Sequence, residues 1–329
     1  MNYLPQEEKH EEMSKDVNHS DIEFSIVISC YYEEKSIREF HRRLKETLEK
    51  IGRSYEIIFV NDGSTDKTWE ILKEIYKEDE RVFSIINLYR NSGQQAGVTA
   101  GIMEARGKAI VLIDSDLQLA PEDLPKLIEK YDEGFDIVSG YRIQRQDSPL
   151  RKIPSKIANW IMRKSSGMSL TDFGCTYKIY RADLIHAFEY GPFNIFRTAD
   201  VVSRAGKCVE VPVQHFPRPY GKSGYTFWRL WQYNMDNLVR LSPRLFQWLA
   251  IFCLIFGFLF FLRIFSALFW DYHIMNEITP GLILNVIIFS LLIIVGILSI
   301  IGEFAMRSFL ALYRIPAFIV REKWIRNKE

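Results

Sequence analysis

A short acidic run is the part of the sequence best suited to chemistry. It contains Asp114, Asp116 and Gln118, which directly follow the apolar stretch AIVLI at 109–113. Alternate residues of an extended strand point the same way, so Asp114 and Asp116 can share one cation, and Gln118 extends the same spacing by one more step. Oxygen ligands of this kind select Mg²⁺ or Mn²⁺, and such a metal neutralises a diphosphate as it leaves. The alternative interpretation is a set of solvated carboxylates at a strand end.

Acidic residues also follow two other apolar stretches. Glu33 comes shortly after FSIVIS (24–29), and Asp62 comes shortly after YEIIFV (55–60). Each signal alone is weak, because Asp62 with Gly63 can form a turn and Asp66 can cap a helix. Ligands of parallel α/β sheets bind outside the carboxyl ends of the strands. The three acidic positions therefore predict a single crevice at one edge of a sheet.

The elements that must position these residues read as alternating strands and helices. This alternation predicts an α/β fold with a mostly parallel, covered sheet. The predicted strands are FSIVIS (24–29), YEIIFV (55–60), FSIIN (83–87), AIVLI (109–113) and DIVSG (136–140). Two apolar stripes predict helices between them: Ile37, Phe40, Leu44, Leu48 and Ile51, then Trp69, Leu72, Ile75 and Tyr76.

Composition divides the chain into regions. The formal net charge is only +1, which gives no global case for binding nucleic acid. Residues 1–21 are polar and predict a disordered tail, and residues 22–225 predict the soluble catalytic domain. After residue 247 the chain becomes strongly apolar.

Two apolar stretches predict a transmembrane hairpin over residues 247–303. They occupy 247–270 and 282–302, each near the roughly 20 residues that cross a bilayer as a helix. The connecting segment has no Lys or Arg, whereas the tail at 304–329 is basic. Positive charge stays on the cytoplasmic side, so the tail and catalytic domain are predicted to be cytoplasmic. The alternative is a buried pair of core helices.

Two further segments predict helices that lie on the membrane surface. Residues 151–164 and 226–246 both carry an apolar stripe flanked by Lys or Arg. Such patterns are typical of interfacial amphipathic helices beside an anionic membrane. The alternative is amphipathic packing of each helix on the sheet.

Several motifs together resemble the family 2 glycosyltransferases, over about residues 22–325. These motifs are IVISCYYEE (26–34), FVNDGSTDKT (59–68) and IDSDLQ (113–118). The chain looks more closely like dolichyl-phosphate mannose synthases and bacterial polyprenyl-phosphate sugar transferases. It looks most like the undecaprenyl-phosphate 4-deoxy-4-formamido-L-arabinose transferases, through NSGQQAG (91–97), RQDSPLRK (145–152), DFGC (172–175) and GKSGYTFWRL (221–230).

The resemblance implies a GT-A type nucleotide-sugar-binding domain and a role for each matching residue. Asp114, Asp116 and Arg142 are implied to be the catalytic residues, and Asp116 and Gln118 to hold Mg²⁺ or Mn²⁺. The nucleotide-sugar residues are implied to be Tyr31, Glu33, Asp62, Gln94, Asp114 and Ser115. The acceptor phosphate is implied to lie on Arg142, Arg151 and Ser155, where the arginine fork suits phosphate oxygens.

The sequence also departs from the family pattern. The usual Pro-Tyr-Asn-Glu is Cys30-Tyr31-Tyr32-Glu33 here, so Tyr32 replaces a small amide beside the base. Many relatives carry Lys at the positions of Gln94 and Gly224, and Lys222 is a candidate substitute for the latter. These differences put the diphosphate-binding role of the loop before the membrane in doubt.

The resemblance implies inverting, metal-dependent transfer of a sugar from a nucleotide-sugar, with UDP favoured by Gln94, to undecaprenyl phosphate. The product is a lipid-linked monosaccharide for cell-envelope glycan or lipid A modification. The enzyme is expected in the plasma membrane, with its catalytic domain cytoplasmic, as a homo-oligomer that relatives imply to be a tetramer. The alternatives are a dolichyl-phosphate mannose or glucose synthase using GDP-mannose or UDP-glucose, a processive polysaccharide synthase, and a non-catalytic lipid-binding subunit.

Overall fold

The structure is a computed structural model. It describes residues 22–143, 170–172, 174–220 and 316–326, together with scattered helical residues between 287 and 308. Contacts divide the chain into two compact units. One unit is Met1–Leu230 with Pro316–Glu329, and the other is Trp231–Ile315. The account below concerns the first unit.

One sheet of eight strands, in the order β7-β5-β6-β4-β1-β2-β3-β8, forms the centre of the described part of this unit. The strands are β1 (Phe24–Cys30), β2 (Tyr55–Asn61), β3 (Val82–Leu88), β4 (Ala109–Leu112), β5 (Ile137–Arg142), β6 (Lys178–Arg181), β7 (Cys208–Val213) and β8 (Val320–Ile325). The five strands predicted from apolar runs are therefore confirmed as β1 to β5. Their buried, continuous apolar sequences are typical of strands covered on both faces.

The sheet is mixed, and most of its strands run the same way. β1 pairs in parallel with β2 and β4, β2 with β3, and β5 with β7. β6 and β8 are antiparallel to their neighbours. The expectation of a mostly parallel sheet is met by β1 to β5 and β7. The two reversed strands were not predicted.

Helices cover both faces of the sheet. The helices are α1 (Ile37–Ile51), α2 (Thr68–Glu78), α3 (Gln94–Ile102), α4 (Leu124–Asp132), α5 (Ala182–His186) and α6 (Thr198–Val202). The predicted stripe of α1 is buried in one core cluster, with Phe40 and Leu44 fully enclosed. Residues of α3 belong to a second cluster, which lies with Val27 and Val60 on the other face. Helix α3 can approach the sheet closely because Gly97 has no side chain. A Cβ atom at that position would lie 2.3 Å from Ser29 Oγ.

The strand β8 joins the C-terminal end of the chain to the sheet. It pairs antiparallel with β3, and Leu88 lies opposite Val320. Phe318, just before the strand, is 4% exposed and packs in the second core cluster. Trp324 packs edge-on against Tyr76 of α2. The segment expected to be only a basic tail thus contains a structural element of the catalytic unit.

Several predictions concern residues outside the described ranges. They include the tail at 1–21, the surface helices at 151–164 and 226–246, and the first membrane span at 247–270. Most of the second span, 282–302, also lies outside them. Among the residues that the structure does describe, no helix is both long and apolar enough to cross a membrane.

Candidate active site

The crevice is predicted at the point where the strand order reverses, between β1 and β4. β1 has β2 on one side and β4 on the other, and all three are parallel. Their carboxyl ends therefore lie at one edge, where ligands of such sheets bind. Glu33 follows β1, Asp62 follows β2 and Asp114 follows β4. The sequence-predicted grouping of these three positions is consistent with this topology.

The acidic run after β4 is a turn rather than a continued strand. β4 ends at Leu112, and Leu117 has a φ of 60° in the left-handed region. The backbone N–H of Gln118 donates to Asp116 Oδ1 at 3.1 Å. Asp114, Asp116 and Gln118 therefore do not alternate along a strand, and the strand-alternation argument for a shared cation was wrong in its geometry. A left-handed conformation in a non-glycine residue is costly, and such strain is concentrated at functional sites.

Arg218 connects the ends of β1 and β4. Its Nη2 atom lies 2.9 Å from Glu33 Oε1 and 3.4 Å from Asp116 Oδ2. Both carboxylates are largely buried, so one cation within reach of the two offsets their charges. Burial raises the pKa of Glu33, whereas a hydrogen bond from Ser36 and the charge of Arg218 lower it.

Sequence reasoning missed Arg218. It follows β7, whose carboxyl end lies on the same edge as that of β5. The rule that ligand-binding residues follow strand ends would have found it. The rule could not be applied because the sequence CVEVPV was not recognised as a strand.

Asp114 is held by two neutral hydrogen-bond donors. Its Oδ1 accepts from Gln94 Nε2, at the start of α3, and its Oδ2 accepts from the Thr176 hydroxyl. Burial, followed by the nearby charge of Asp116, raises the pKa of Asp114 above its ordinary value. Desolvation and a like charge both disfavour ionisation of a carboxylate. A cationic ligand close to Asp114 would reverse this effect.

Asp62 orients the loop that precedes α3. Its carboxylate accepts hydrogen bonds from Ser92 N at 2.7 Å, Gly93 N at 3.0 Å and Asn91 Nδ2 at 3.1 Å. Burial raises the pKa of Asp62 to about 6, although the bonds from Ser92 and Gly93 oppose the shift. Gly63 follows with a φ of 65°, and a side chain there would lie 2.3 Å from the Arg90 backbone. The loop can approach Asp62 only because residue 63 is glycine.

Two aromatic residues, Tyr31 and Tyr32, directly follow β1. Tyr31 and Tyr32 contact each other edge-on with ring centroids 4.5 Å apart. Tyr32 has a φ of 58°, and its backbone N–H donates to Ser64 Oγ at 3.0 Å. Its side chain is half exposed. Ser115, in contrast, is buried beneath the acidic run.

Arg142 ends β5 and forms a two-point ion pair with Asp172. Its Nε and Nη2 atoms each lie 2.8 Å from an Asp172 oxygen. Only 15% and 11% of the two side chains are exposed. Of the residues implied to hold the acceptor phosphate, Arg151 and Ser155 lie outside the described ranges. Arg142 alone can be placed, and its charge partly opposes the rise in the pKa of Asp114.

The side chains around Asp116 bear on the predicted metal site. Within the described residues, no cluster of three or more His, Cys, Asp and Glu side chains could hold a metal ion. Mg²⁺ commonly uses one or two protein carboxylates and completes its shell with substrate phosphates and water. Asp116 and Gln118 carry oxygen donors of the kind that this mode uses.

The chain is similar to known proteins in sequence and in structure. The sequence model described as "Glycosyl transferase family 2" matches residues 25–197. Glucosyl-3-phosphoglycerate synthase from Mycobacterium tuberculosis, in complex with phosphoglyceric acid, has a TM-score of 0.50 at 17% identity, covering 67% of this chain and 80% of that one. The same synthase with Mn²⁺, UDP and phosphoglyceric acid has a TM-score of 0.50 at 16% identity, covering 68% and 79%. S. aureus TarS 1-349 with UDP-GlcNAc has a TM-score of 0.42 at 17% identity, covering 66% of each chain.

Proposed function

Because the chain belongs to glycosyl transferase family 2, we propose that it transfers a sugar from a UDP-linked donor to undecaprenyl phosphate or a closely related polyisoprenyl phosphate. Membership of the family makes the chain a nucleotide-sugar glycosyltransferase. The lipid acceptor and the position at the cytoplasmic face of the plasma membrane are the proposal. They rest on the two apolar stretches and on the basic segments beside them. The product would be a lipid-linked monosaccharide for cell-envelope glycan or lipid A modification.

The observation that supports the donor side of the proposal is the placement of Glu33 and Asp116 around one cationic group. Carboxylates from two strand ends lie within 3.4 Å of the same Arg218 nitrogen. This concentration of negative charge suits a divalent cation that accompanies the donor diphosphate. When bound by Asp116 and Gln118, the metal would neutralise the leaving nucleoside diphosphate. Arg218 would then be available to pair with the diphosphate oxygens.

The chemistry requires little of the protein beyond positioning and charge. The nucleophile is an oxygen of the lipid phosphate, which is anionic at neutral pH, so a strong general base is unnecessary. Direct attack forms the bond from that oxygen to the anomeric carbon and breaks the bond to the diphosphate, with inversion. Arg142, fixed by Asp172, would hold the acceptor phosphate opposite the leaving group.

The test is sugar transfer by the full-length protein in detergent. Radiolabelled UDP-sugars and GDP-mannose would be offered with short-chain polyprenyl phosphate, in Mg²⁺, Mn²⁺ or chelator. We expect transfer to lipid from a UDP-sugar only with metal present, and loss of transfer in Asp116→Asn. Asp183→Asn, which changes an exposed carboxylate paired with Arg181, is the matched control. Metal-independent transfer, or transfer only to a non-lipid acceptor, would contradict the proposal.

A further inference from the structure

The segment from Thr171 to Thr176 contacts both halves of the candidate site. Asp172 binds Arg142, the residue assigned above to the acceptor phosphate. Four residues later, the Thr176 hydroxyl donates to Asp114, on the donor side. The two assigned functions thus meet in one short stretch of chain. Phe173, within it, lies outside the described residues.

The start of the segment is fixed to the edge strand β7. The carboxylate of Glu210 accepts hydrogen bonds from Thr171 N at 2.8 Å, Thr171 Oγ1 at 2.7 Å and Asp172 N at 3.0 Å. Charge-assisted bonds of this kind are stronger than neutral ones. Glu210 therefore sets where the Asp172 backbone lies relative to β5.

The end of the segment is fixed to β6 by a buried lysine. Lys178 is 1% exposed, and its ammonium group donates to the carbonyl oxygen of Cys175. Cys175 N donates in turn to Asp172 O at 3.2 Å. Burial lowers the pKa of Lys178. A lysine is seldom fully buried without a partner, and here its partner is the backbone of this segment.

The segment also leaves little space around the ion pair. A Cβ atom at Gly174 would lie 3.3 Å from Arg142 Nη2 and 3.7 Å from Asp172 Oδ1. Arg142 is thus confined by Asp172 through two bonds and by the backbone at residue 174. A guanidinium held in this way loses less entropy when it binds a phosphate.

We propose that Asp172 and Thr176 are positioning residues that fix where the acceptor phosphate lies relative to the donor diphosphate. Asp172 acts through Arg142, and Thr176 acts through Asp114. Glu210 and Lys178 hold the segment so that the two contacts keep a fixed separation. In-line attack requires this separation, because small displacements of reacting groups slow transfer strongly. The inference rests on the proposed function, because it takes Arg142 as the acceptor-phosphate residue.

The test separates donor binding from acceptor use in full-length variants. Titration calorimetry with UDP and Mn²⁺ reports the donor side, and the apparent KM for short-chain polyprenyl phosphate reports the acceptor side. Asp172→Asn should raise the acceptor KM about tenfold or more, the scale of one lost charge-assisted bond, with UDP affinity nearly unchanged. Thr176→Val should weaken UDP binding or kcat and leave the acceptor KM unchanged. Asp183→Asn is the control for loss of a carboxylate outside the segment.

Gly174→Ala provides a second variant in case Asp172→Asn fails to fold. Its added methyl group presses on Arg142 without removing a charge, so it should raise the acceptor KM alone. Equal changes in both constants for Asp172→Asn and Gly174→Ala, or no change in either, would overturn the inference. If the wild-type protein uses a phosphate acceptor other than a polyprenyl phosphate, the proposed function fails. The positioning inference then stands only if Asp172→Asn raises the KM for that acceptor.

Discussion

At the scale of single residues, the site depends on carboxylates whose partners come from distant parts of the chain. Glu33 and Asp116 were predicted as ligand-binding residues, whereas their shared partner Arg218 was not. The ion pair of Arg142 with Asp172 gives Arg142 an orientation that its sequence neighbours do not explain. The sequence predicted that acidic residues follow the strand ends. Their contacts were not, because Arg218 and Glu33 are 185 positions apart.

Arg218 leads to a prediction about metal binding. In protein without nucleotide, its guanidinium lies beside Asp116 and competes with a divalent cation for that carboxylate. We expect Arg218→Gln to tighten Mn²⁺ binding by roughly three- to tenfold, equivalent to about 1 kcal/mol of competing charge interaction. Transfer should nevertheless fall, because the diphosphate loses a charged partner. Calorimetric Mn²⁺ titration and transfer rates measure the two effects, and weaker Mn²⁺ binding in the variant would contradict the competition.

At the scale of elements, β8 links the C-terminal segment to the donor side of the site. Ile319 O accepts a hydrogen bond from Tyr89 N, at the end of β3. The chain then continues to the loop whose Ser92 and Gly93 N–H groups bind Asp62. The strand thus supports the loop whose N–H groups bind Asp62, a predicted nucleotide-binding carboxylate. The basic composition of residues 304–329 gave no sign of this role.

This arrangement predicts a contrast between two adjacent residues. Phe318 is 4% exposed and Ile319 is 58% exposed. Phe318→Ala should destabilise the catalytic unit by about 3–5 kcal/mol through lost burial and a cavity, and Ile319→Ala should cost well under 1 kcal/mol. Thermal unfolding of the full-length protein in detergent compares the two. The donor KM should also rise in Phe318→Ala, and similar midpoints for both variants would show that β8 contributes little.

At the scale of the whole molecule, β8 constrains how the chain can cross a membrane. Residues before 231 and after 315 belong to one compact unit, and β3 pairs directly with β8. Both ends of the intervening segment must therefore lie on the same side of any membrane. An even number of crossings satisfies this condition, and the transmembrane hairpin predicted from the apolar stretches at 247–270 and 282–302 would supply two.

The expected topology can be tested by cysteine labelling. A cysteine placed at His273, between the predicted spans, should react with a membrane-impermeant reagent added to intact cells. A cysteine placed at Lys323, in β8, should react only after permeabilisation. The parent protein gives the background from its native cysteines. Labelling of both positions from the same side would contradict the transmembrane hairpin. Labelling of position 323 in intact cells and of position 273 only after permeabilisation would contradict the cytoplasmic location of the catalytic domain.

The sequence by itself determined the strands β1 to β5 and the presence of acidic residues after three of them. The strands β1 to β5 were predictable because their apolar runs are local and continuous. The sequence did not reveal β6, which begins with the buried Lys178, or β7, which contains Pro212 at the sheet edge. Proline is tolerated in edge strands but weakens the strand signal.

Only the tertiary structure decided which of these residues act together. Trp69 donates to Glu322 across 253 positions, and Thr176 donates to Asp114 across 62. Contacts at such separations form because burial of both faces of the sheet fixes the strand order, and the strand order then brings the loops together. The pattern of residues within one strand does not indicate which other strand pairs with it. The relative positions of Asp114, Arg142 and Arg218 are therefore a property of the folded sheet.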